Sequence, residues 1–399
     1  MANKRIYLKP RKEQSLLRFH PWVFSGAVAK ADTGVENGEL VDVYSSEGEF
    51  LARGHYQAGS IMVRLLTFED EEIGPAFWLK KLSQAFELRH KLGLIDNLST
   101  NCYRLVHGEG DYLPGLIVDI YDSVAVMQTH SAGMYSCRAQ IANALVELYG
   151  RSLAVYSKAT QIGTFEGDDD YLYKSASFLE DSRGGEVVLE NGCKFLVDWQ
   201  KGQKTGFFLD QRDNRALVRS YSSGKRVLNL FCYTGGFTIY ALMGGALCAD
   251  SVDSSKYAIG MVRNNLEINS FQSTEDKNRA ICADAIEYLR SVKKGEYDLI
   301  IVDPPAFAKH LSAKSNALRA YQRLNALAIE KVAEGGMVFT FSCSQVVDKQ
   351  DFSLAVFSAA AQTGRNVRII ERLSQPADHP VSIYHPEGEY LKGLALYVE

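Results

Sequence analysis

The residue types best suited to chemistry in this chain are a thiol and a carboxylate, each placed where an apolar run ends. Cys343 closes Phe339-Thr340-Phe341-Ser342-Cys343-Ser344, and Asp303 opens Asp303-Pro304-Pro305-Ala306-Phe307 in the same C-terminal half. In an open α/β sheet the ligand crevice lies outside the carboxyl ends of the strands, so a thiol ending one strand and a carboxylate ending another can converge there. A thiol plus a carboxylate suits covalent chemistry on a pyrimidine ring. Addition of a thiolate at carbon 6 breaks the conjugation and makes carbon 5 nucleophilic. A carboxyl group at the 3-nitrogen, for which Asp303 is placed, stabilises the charge that builds there. The base that then removes the carbon-5 proton is not assigned. Glu389, His379 and His385 are candidates by position alone, with a structural role the stronger reading for each histidine.

These residues need a scaffold, and the chain from Gln211 onward supplies an alternation of strands and helices. Strands are expected at Val227–Phe231, Ala249–Asp253, Arg279–Cys282, Tyr297–Val302 and Met337–Phe341, with helices between them, which is the rhythm of a doubly wound parallel sheet. Asn229-Leu-Phe-Cys-Tyr-Thr-Gly235-Gly236 joins the first strand to a helix, and paired glycines let a backbone turn sharply and approach a ligand. Asp253 ends the second strand at the spacing where a carboxylate accepts from ribose hydroxyls. Asp284 follows the third, where it could meet an adenine amino group or simply cap the next helix.

Upstream, the first seventy residues alternate short apolar runs with glycine turns, as in a small β-barrel or sandwich. Gly74-Pro75 breaks that pattern, and Phe77, Leu79, Leu82, Phe86 and Leu88 fall near one face of a helix. Strands at Leu116–Ile120, Val124–Thr129 and Leu153–Ser157 with a helix over Met134–Tyr149 make a compact α+β middle part. Asn191-Gly192 between two apolar runs is a hairpin signal. The expected division is 1–73, 74–185 and 186–399.

At 399 residues, with 46% apolar and 23% charged residues, the composition is globular. Seven cysteines without zinc spacing or a Cys-x-x-Cys pair support neither a disulfide framework nor a metal site. No apolar run reaches membrane-spanning length, and a cytoplasmic location is expected. The net charge of −4 does not announce a polyanion binder. Lys4, Arg5, Lys9 and Arg11 nevertheless form a locally basic N-terminal arm able to meet phosphates. The sequence does not set the oligomeric state, and a homodimer is compatible with it.

Taken together, the motifs resemble the PUA-domain 5-methylcytosine methyltransferases of bacterial large-subunit ribosomal RNA. The resemblance covers nearly the whole chain. It rests on His20-Pro-Trp-Val-Phe-Ser-Gly26, Thr205-Gly-Phe-Phe-Leu-Asp-Gln-Arg212, Asn229–Gly236, Asp303-Pro-Pro305, Phe341-Ser-Cys-Ser344, Asp378-His-Pro380 and Tyr390-Leu-Lys-Gly393. It implies an N-terminal PUA-like β-barrel that binds RNA, a small α+β middle domain, and a Rossmann-like α/β domain dependent on S-adenosylmethionine. It further implies that Phe207, Asp210 and Arg212 help cover the cofactor. Asn229, Phe231, Tyr233 and Gly235 would hold its amino-acid portion, Asp253 its ribose and Asp284 its adenine, with Asp303 beside the reacting groups. Many RNA 5-methylcytosine enzymes carry a second cysteine after the proline. Here the sequence reads Pro305-Ala306, which leaves Cys343 as the nucleophile. Guanine-nitrogen methylation, uracil carbon-5 methylation and a non-catalytic RNA-binding assembly factor remain as alternatives.

Overall fold

The computed structural model of the chain describes residues 3–158, 160–162, 165–175, 185–308 and 310–399. Packing divides the chain into two compact units. One comprises Met1–Val188, Val197–Phe207 and Ala377–Gly388, and the other Leu189–Leu196, Phe208–Pro376 and Glu389–Glu399.

In the first unit, β1 (Lys4–Leu8), β2 (Trp22–Phe24), β3 (Val28–Ala31), β4 (Leu40–Tyr44), β5 (Phe50–Tyr56) and β6 (Ile61–Thr67) form a six-stranded sheet in the order β2-β6-β5-β4-β1-β3. Alternation along the strands buries Ile6, Leu8, Val41, Val43 and Val63 in one core. The N-terminal basic residues therefore do not form an arm. β1 lies between β3 and β4, antiparallel to the former and parallel to the latter. Lys4 Nζ is 3.0 Å from Glu39, Lys9 Nζ donates to the Gly26 carbonyl at 2.9 Å, and the Arg5 guanidinium sits 5.5 Å from the Tyr44 ring centre. Arg11 is exposed.

α1 (Pro75–Lys91) starts with proline in its first turn, where the missing N–H costs nothing. Its buried residues are Phe77, Trp78, Leu82, Ala85 and Arg89, and Leu88 is exposed. Leu79 and Phe86 pack against the same core, so the inward face is the expected one except at Leu88, and it also takes in a charged residue. Arg89 is fully buried, its guanidinium pairs with Asp111, and Nη2 donates to the Asp378 carbonyl at 2.7 Å.

The second sheet of this unit, in the order β13-β10-β9-β8-β7, comprises β7 (Cys102–His107), β8 (Leu116–Tyr121), β9 (Val124–Thr129), β10 (Ala154–Lys158) and β13 (Asp170–Tyr173). A two-stranded ribbon, β11 (Gln161–Ile162) with β12 (Phe165–Glu166), lies between β10 and β13 in the chain. The expected helix over Met134–Tyr149 is two helices, α2 (Ala132–Ser136) and α3 (Arg138–Tyr149), meeting at Cys137. Asp378, fully buried, accepts the Arg104 N–H at 2.9 Å, and Arg104 in turn grips Asp119 with two bonds of 2.7 and 2.8 Å.

Next in the chain comes a hairpin, β14 (Gly185–Glu190) with β15 (Cys193–Asp198). Asn191 and Gly192 at its tip have φ of 49° and 80°, the left-handed pair that a two-residue hairpin turn requires.

In the second unit, α4 (Arg212–Tyr221) precedes a seven-stranded sheet ordered β18-β17-β16-β19-β20-β22-β21. Its strands are β16 (Arg226–Leu230), β17 (Cys248–Asp253), β18 (Ala280–Cys282), β19 (Leu299–Val302), β20 (Gly336–Ser342), β21 (Val367–Ser374) and β22 (Lys392–Val398). The connections carry α5 (Gly236–Met243), α6 (Lys256–Ile268), α7 (Ala285–Ser291), α8 (Lys314–Lys331) and α9 (Lys349–Thr363). The five strands from β16 to β20 pair in parallel, as the apolar runs predict for a sheet covered on both faces. β22 runs antiparallel between β20 and β21, an addition to the expected parallel sheet.

Glu190, fully buried, anchors the end of β14 in the second unit. It receives Arg215 Nε and Nη2 at 2.8 and 2.7 Å and the Tyr240 hydroxyl at 3.0 Å, with Arg212 Nε at 3.6 Å. Removing one partner of a buried ion pair strands the other. Arg215→Met should therefore cost about 3–5 kcal/mol, read as a lower urea midpoint at unchanged slope. A wild-type midpoint would show that Glu190 does not depend on Arg215.

Candidate active site

Register brings the predicted chemistry to one edge. Leu230 of β16 stands opposite Val252 of β17 and Val302 of β19, and Val302 stands opposite Thr340 of β20. Phe231, Asp253 and Asp303 each come one residue past that level, and Cys343 comes three residues past Thr340. Asp253 itself pairs with Cys282 at the end of β18, and Asp284 follows two residues later. The thiol and all three carboxylates therefore stand at the carboxyl ends of neighbouring parallel strands.

The loop from β16 to α5 is held in an unusual backbone. Phe231 and Tyr233 adopt φ of 55° and 48°, in the left-handed region that bulky residues avoid, and Gly235 follows at 82°. A Cβ on Gly235 would come within 3.3 Å of Val262, so both conformation and space call for glycine there. Such backbone persists only where the surroundings over-determine it, and it clusters at ligand sites. Asp253 is part of that determination, accepting the Tyr233 N–H at 3.0 Å and the Ser255 N–H at 2.9 Å. Asn229 lies beneath the loop, its Nδ2 donating to Thr238 Oγ1 at 3.0 Å. The buried Asn229 Oδ1 and Thr234 Oγ1 have no hydrogen-bond partner among the described residues. A loop with spare polar capacity, capped by α5 and flanked by strand-end carboxylates, fits a polar nucleoside-type cofactor.

The other expected site residues are held in different surroundings. Asp303 accepts from Gln211 Nε2 at 3.0 Å, and Asp210 from the Tyr390 hydroxyl at 2.6 Å. Arg212 stands beside Glu190 in the buried charge cluster. Asp284 caps α7, receiving the Ile286 and Glu287 N–H groups at 2.9 Å each. Phe207 is buried in the first unit, where its carbonyl accepts from the Tyr121 hydroxyl at 3.5 Å, whereas the rest of the cofactor set lies in the second.

Cys343 is half-buried and its neighbours are tied down. The Tyr321 hydroxyl bridges Ser342 Oγ at 2.9 Å and Ser344 Oγ at 3.2 Å, and burial pushes this phenol's pKa up. Ser344 Oγ also accepts the Ala308 N–H at 3.4 Å, which joins the Cys343 loop to the loop after Asp303. Phe307, a candidate for base stacking, packs its ring 4.8 Å from Tyr321. Lys392 Nζ donates to the Ser344 carbonyl at 2.6 Å.

Of the proton-acceptor candidates, Glu389 pairs with Lys349 near the thiol's end of the sheet. His379 and His385 are buried within the first unit, against His107 and Trp22 respectively. Gln211, Tyr390 and Lys392 were not singled out from sequence. Their only sequence signal was membership of the Thr205–Arg212 and Tyr390–Gly393 motifs.

Comparison with known proteins decides the family. Residues 170–389 match the model of the S-adenosylmethionine-dependent methyltransferase family, and residues 6–68 that of the PUA-like domain. Ribosomal RNA large subunit methyltransferase I of Escherichia coli (strain SMS-3-5 / SECEC) is 40% identical over 407 residues, covering 99% of each chain. The chain belongs to the ribosomal RNA large subunit methyltransferase I family. The protein of the same name from Escherichia coli O157:H7 matches to the same extent, 40% over 99% of each chain. Among solved structures, SMU.776 complexed with SAH superposes with a TM-score of 0.83 at 22% identity, over 99% of this chain and 100% of that one. That likeness shows a shared fold. The family's dependence on S-adenosylmethionine agrees with the polar loop and carboxylates described above. Among the described residues no cluster suited to a metal ion occurs and no helix is long and apolar enough to cross a membrane.

Proposed function

We propose that this chain methylates carbon 5 of a cytosine in large-subunit ribosomal RNA, in the cytoplasm, through a covalent Cys343 adduct. The observation that carries the reading is the shared edge. A thiol ending β20 and a carboxylate ending β19 neighbour a loop built for a nucleoside-type cofactor. The names of the relatives supply the RNA, and the thiol supplies the reason for carbon 5, since guanine-nitrogen methylation needs no such group.

S-adenosylmethionine, when bound, supplies a methyl group on a positively charged sulfur. The Asn229–Gly235 loop would hold its amino-acid portion, Asp253 its ribose and Asp284 its adenine, with Phe207, Asp210 and Arg212 contributing from the preceding motif. The sulfur of Cys343 adds to carbon 6 of the cytosine, and electron density moves through the ring toward the 3-nitrogen. Asp303, oriented by Gln211, hydrogen-bonds or protonates that nitrogen. Carbon 5, now enamine-like, accepts the methyl group. Loss of its proton and cleavage of the sulfur–carbon bond return the aromatic ring and the thiolate. Glu389 is the proton-acceptor candidate within the same unit as Cys343. The target must leave its stack to reach a strand-end thiol, which favours a weakly paired nucleotide. In this reading residues 1–73 capture RNA, 74–185 form a middle domain and 186–399 perform the chemistry.

RNA carrying 5-fluorocytosine should be methylated and then trapped, because fluorine cannot leave as the proton does. The result is a gel-stable adduct that requires both cofactor and Cys343. Cys343→Ala should bind cofactor normally and transfer no methyl group. Methylation by that variant at an appreciable rate would overturn the covalent step in favour of nitrogen methylation, and activity confined to uracil sites would overturn the choice of base.

Asp253→Ala should weaken cofactor binding by about 1.5–3 kcal/mol in calorimetry, since the ribose loses a charged acceptor and Tyr233 loses its anchor. Wild-type affinity in the folded variant would remove Asp253 from the site. Neutralising Lys4, Arg5, Lys9 and Arg11 together should lower RNA affinity and flatten its salt dependence while leaving cofactor affinity unchanged. An unchanged slope would take these four residues out of the RNA surface.

A further inference from the structure

Lys392 is an uncommon residue to find where it is. It opens β22, pairs across the sheet with Ser342 of β20, and its side chain reaches forward to the Ser344 carbonyl at 2.6 Å. Cys343 is the residue between those two contacts. Lys392 is only 5% exposed, and lysines are almost never that buried without a counter-charge. A carbonyl satisfies one N–H and offers no charge.

The charged and titratable groups around it narrow the choice of counter-charge. Asp348, which precedes α9, and Glu389, which precedes β22, both attract the ammonium, and Lys349 of α9 repels it. Asp348 has a side-chain exposure of 66%, so water screens it, and Glu389 is already engaged by Lys349. Tyr321 of α8 faces the thiol and is held neutral by burial. Among the described residues that act on the ammonium, the remaining group that can bear negative charge is Cys343.

We propose that Lys392 is a positioning residue for Cys343, its buried ammonium group holding the adjacent thiol as the thiolate that attacks the pyrimidine. The interaction is mutual. Burial lowers the lysine to about 8 even though a negative sulfur, the first of the attractions on it, works in the other direction. The ammonium correspondingly favours the ionised thiol. Forming the thiolate breaks the S–H bond and passes its proton to the buffer, while Lys392 keeps its own protons. Fixed to the Ser344 carbonyl, the ammonium also holds the backbone that carries Cys343. Sulfur and cation therefore stay in register before RNA or cofactor arrives.

This proposal rests on reading Cys343 as the nucleophile, and the test separates the two. Iodoacetamide alkylation of Cys343, followed by peptide mass spectrometry as pH is varied, reports the thiol without RNA or cofactor. In the wild type the rate should inflect below the free-thiol value of about 8.5. Lys392→Met should raise the inflection by about one unit or more, and Lys392→Arg should largely retain the wild-type profile. Thermal melts and cofactor binding establish that each variant is folded. Superimposed wild-type and Lys392→Met profiles overturn the proposal. So does a wild-type inflection at or above the free-thiol value, which needs no variant and decides the matter if Lys392→Met does not fold. Methylation by Cys343→Ala would overturn the nucleophile and leave the alkylation result intact.

Discussion

Parallel strands can present their carboxyl ends only along one edge of a sheet, and the site depends on that constraint. Once β16 to β20 pair in parallel register, Phe231, Asp253, Asp303 and Cys343 reach the same edge although more than a hundred residues separate the first from the last. Hydrogen bonding between main chains does this work, so the register needs no side chain from the strand interiors. Leu299–Val302 is buried throughout, as is the whole of β20. Polar residues inside the strands are buried and paired, as Asn229 is with Thr238 and Asp250 with Arg279, while Asp253, Asp303 and Cys343 stand at or just past the strand ends.

Two features then refine what the sheet brings together. Glu190 gathers Arg215, Arg212 and Tyr240 around a single buried carboxylate, fixing α4 and α5 beside the start of the second unit. Burying such a cluster gains little over an apolar one and penalises any arrangement that leaves a charge unmatched. It therefore acts as a constraint on geometry, and α4 and α5 are the helices on either side of β16 and the loop that follows it. The antiparallel insertion of β22 beside β20 is the other refinement. It sets a residue from the last eight of the chain against the strand that carries the thiol.

The parallel sheet was readable from sequence because its strands are short, mostly apolar segments that alternate with helices, and Asp253, Asp303 and Cys343 fall where those segments end. The Asn191-Gly192 hairpin was readable for a similar local reason, since few pairs tolerate two left-handed residues. On α1 the inward face was readable at Phe77, Leu79, Leu82 and Phe86, but Leu88 falls outside it and Arg89 inside, because hydrophobic periodicity cannot see a buried ion pair. Lys4 and Arg5 looked like an arm because a basic run carries no trace of the long-range pairing that makes β1 an interior strand. Lys392 was hidden in the same way. Its meaning comes from a partner fifty residues away across the sheet, and an isolated lysine has no spacing that announces it.

The return of residues 377–388 to the first unit bears on how the molecule is made. Asp378 supplies acceptors to both Arg89 and Arg104, which are buried charged groups in the first half of the chain. Their carboxylate partners Asp111 and Asp119 are made nearby, but these two acceptors emerge from the ribosome hundreds of residues later. A chain of this layout cannot finish its leading part first and move on, as tandem domains do. The first unit reaches its full set of hydrogen bonds only when residues 377–388 have been synthesised. Its maturation is thereby tied to synthesis of the segment that carries Cys343.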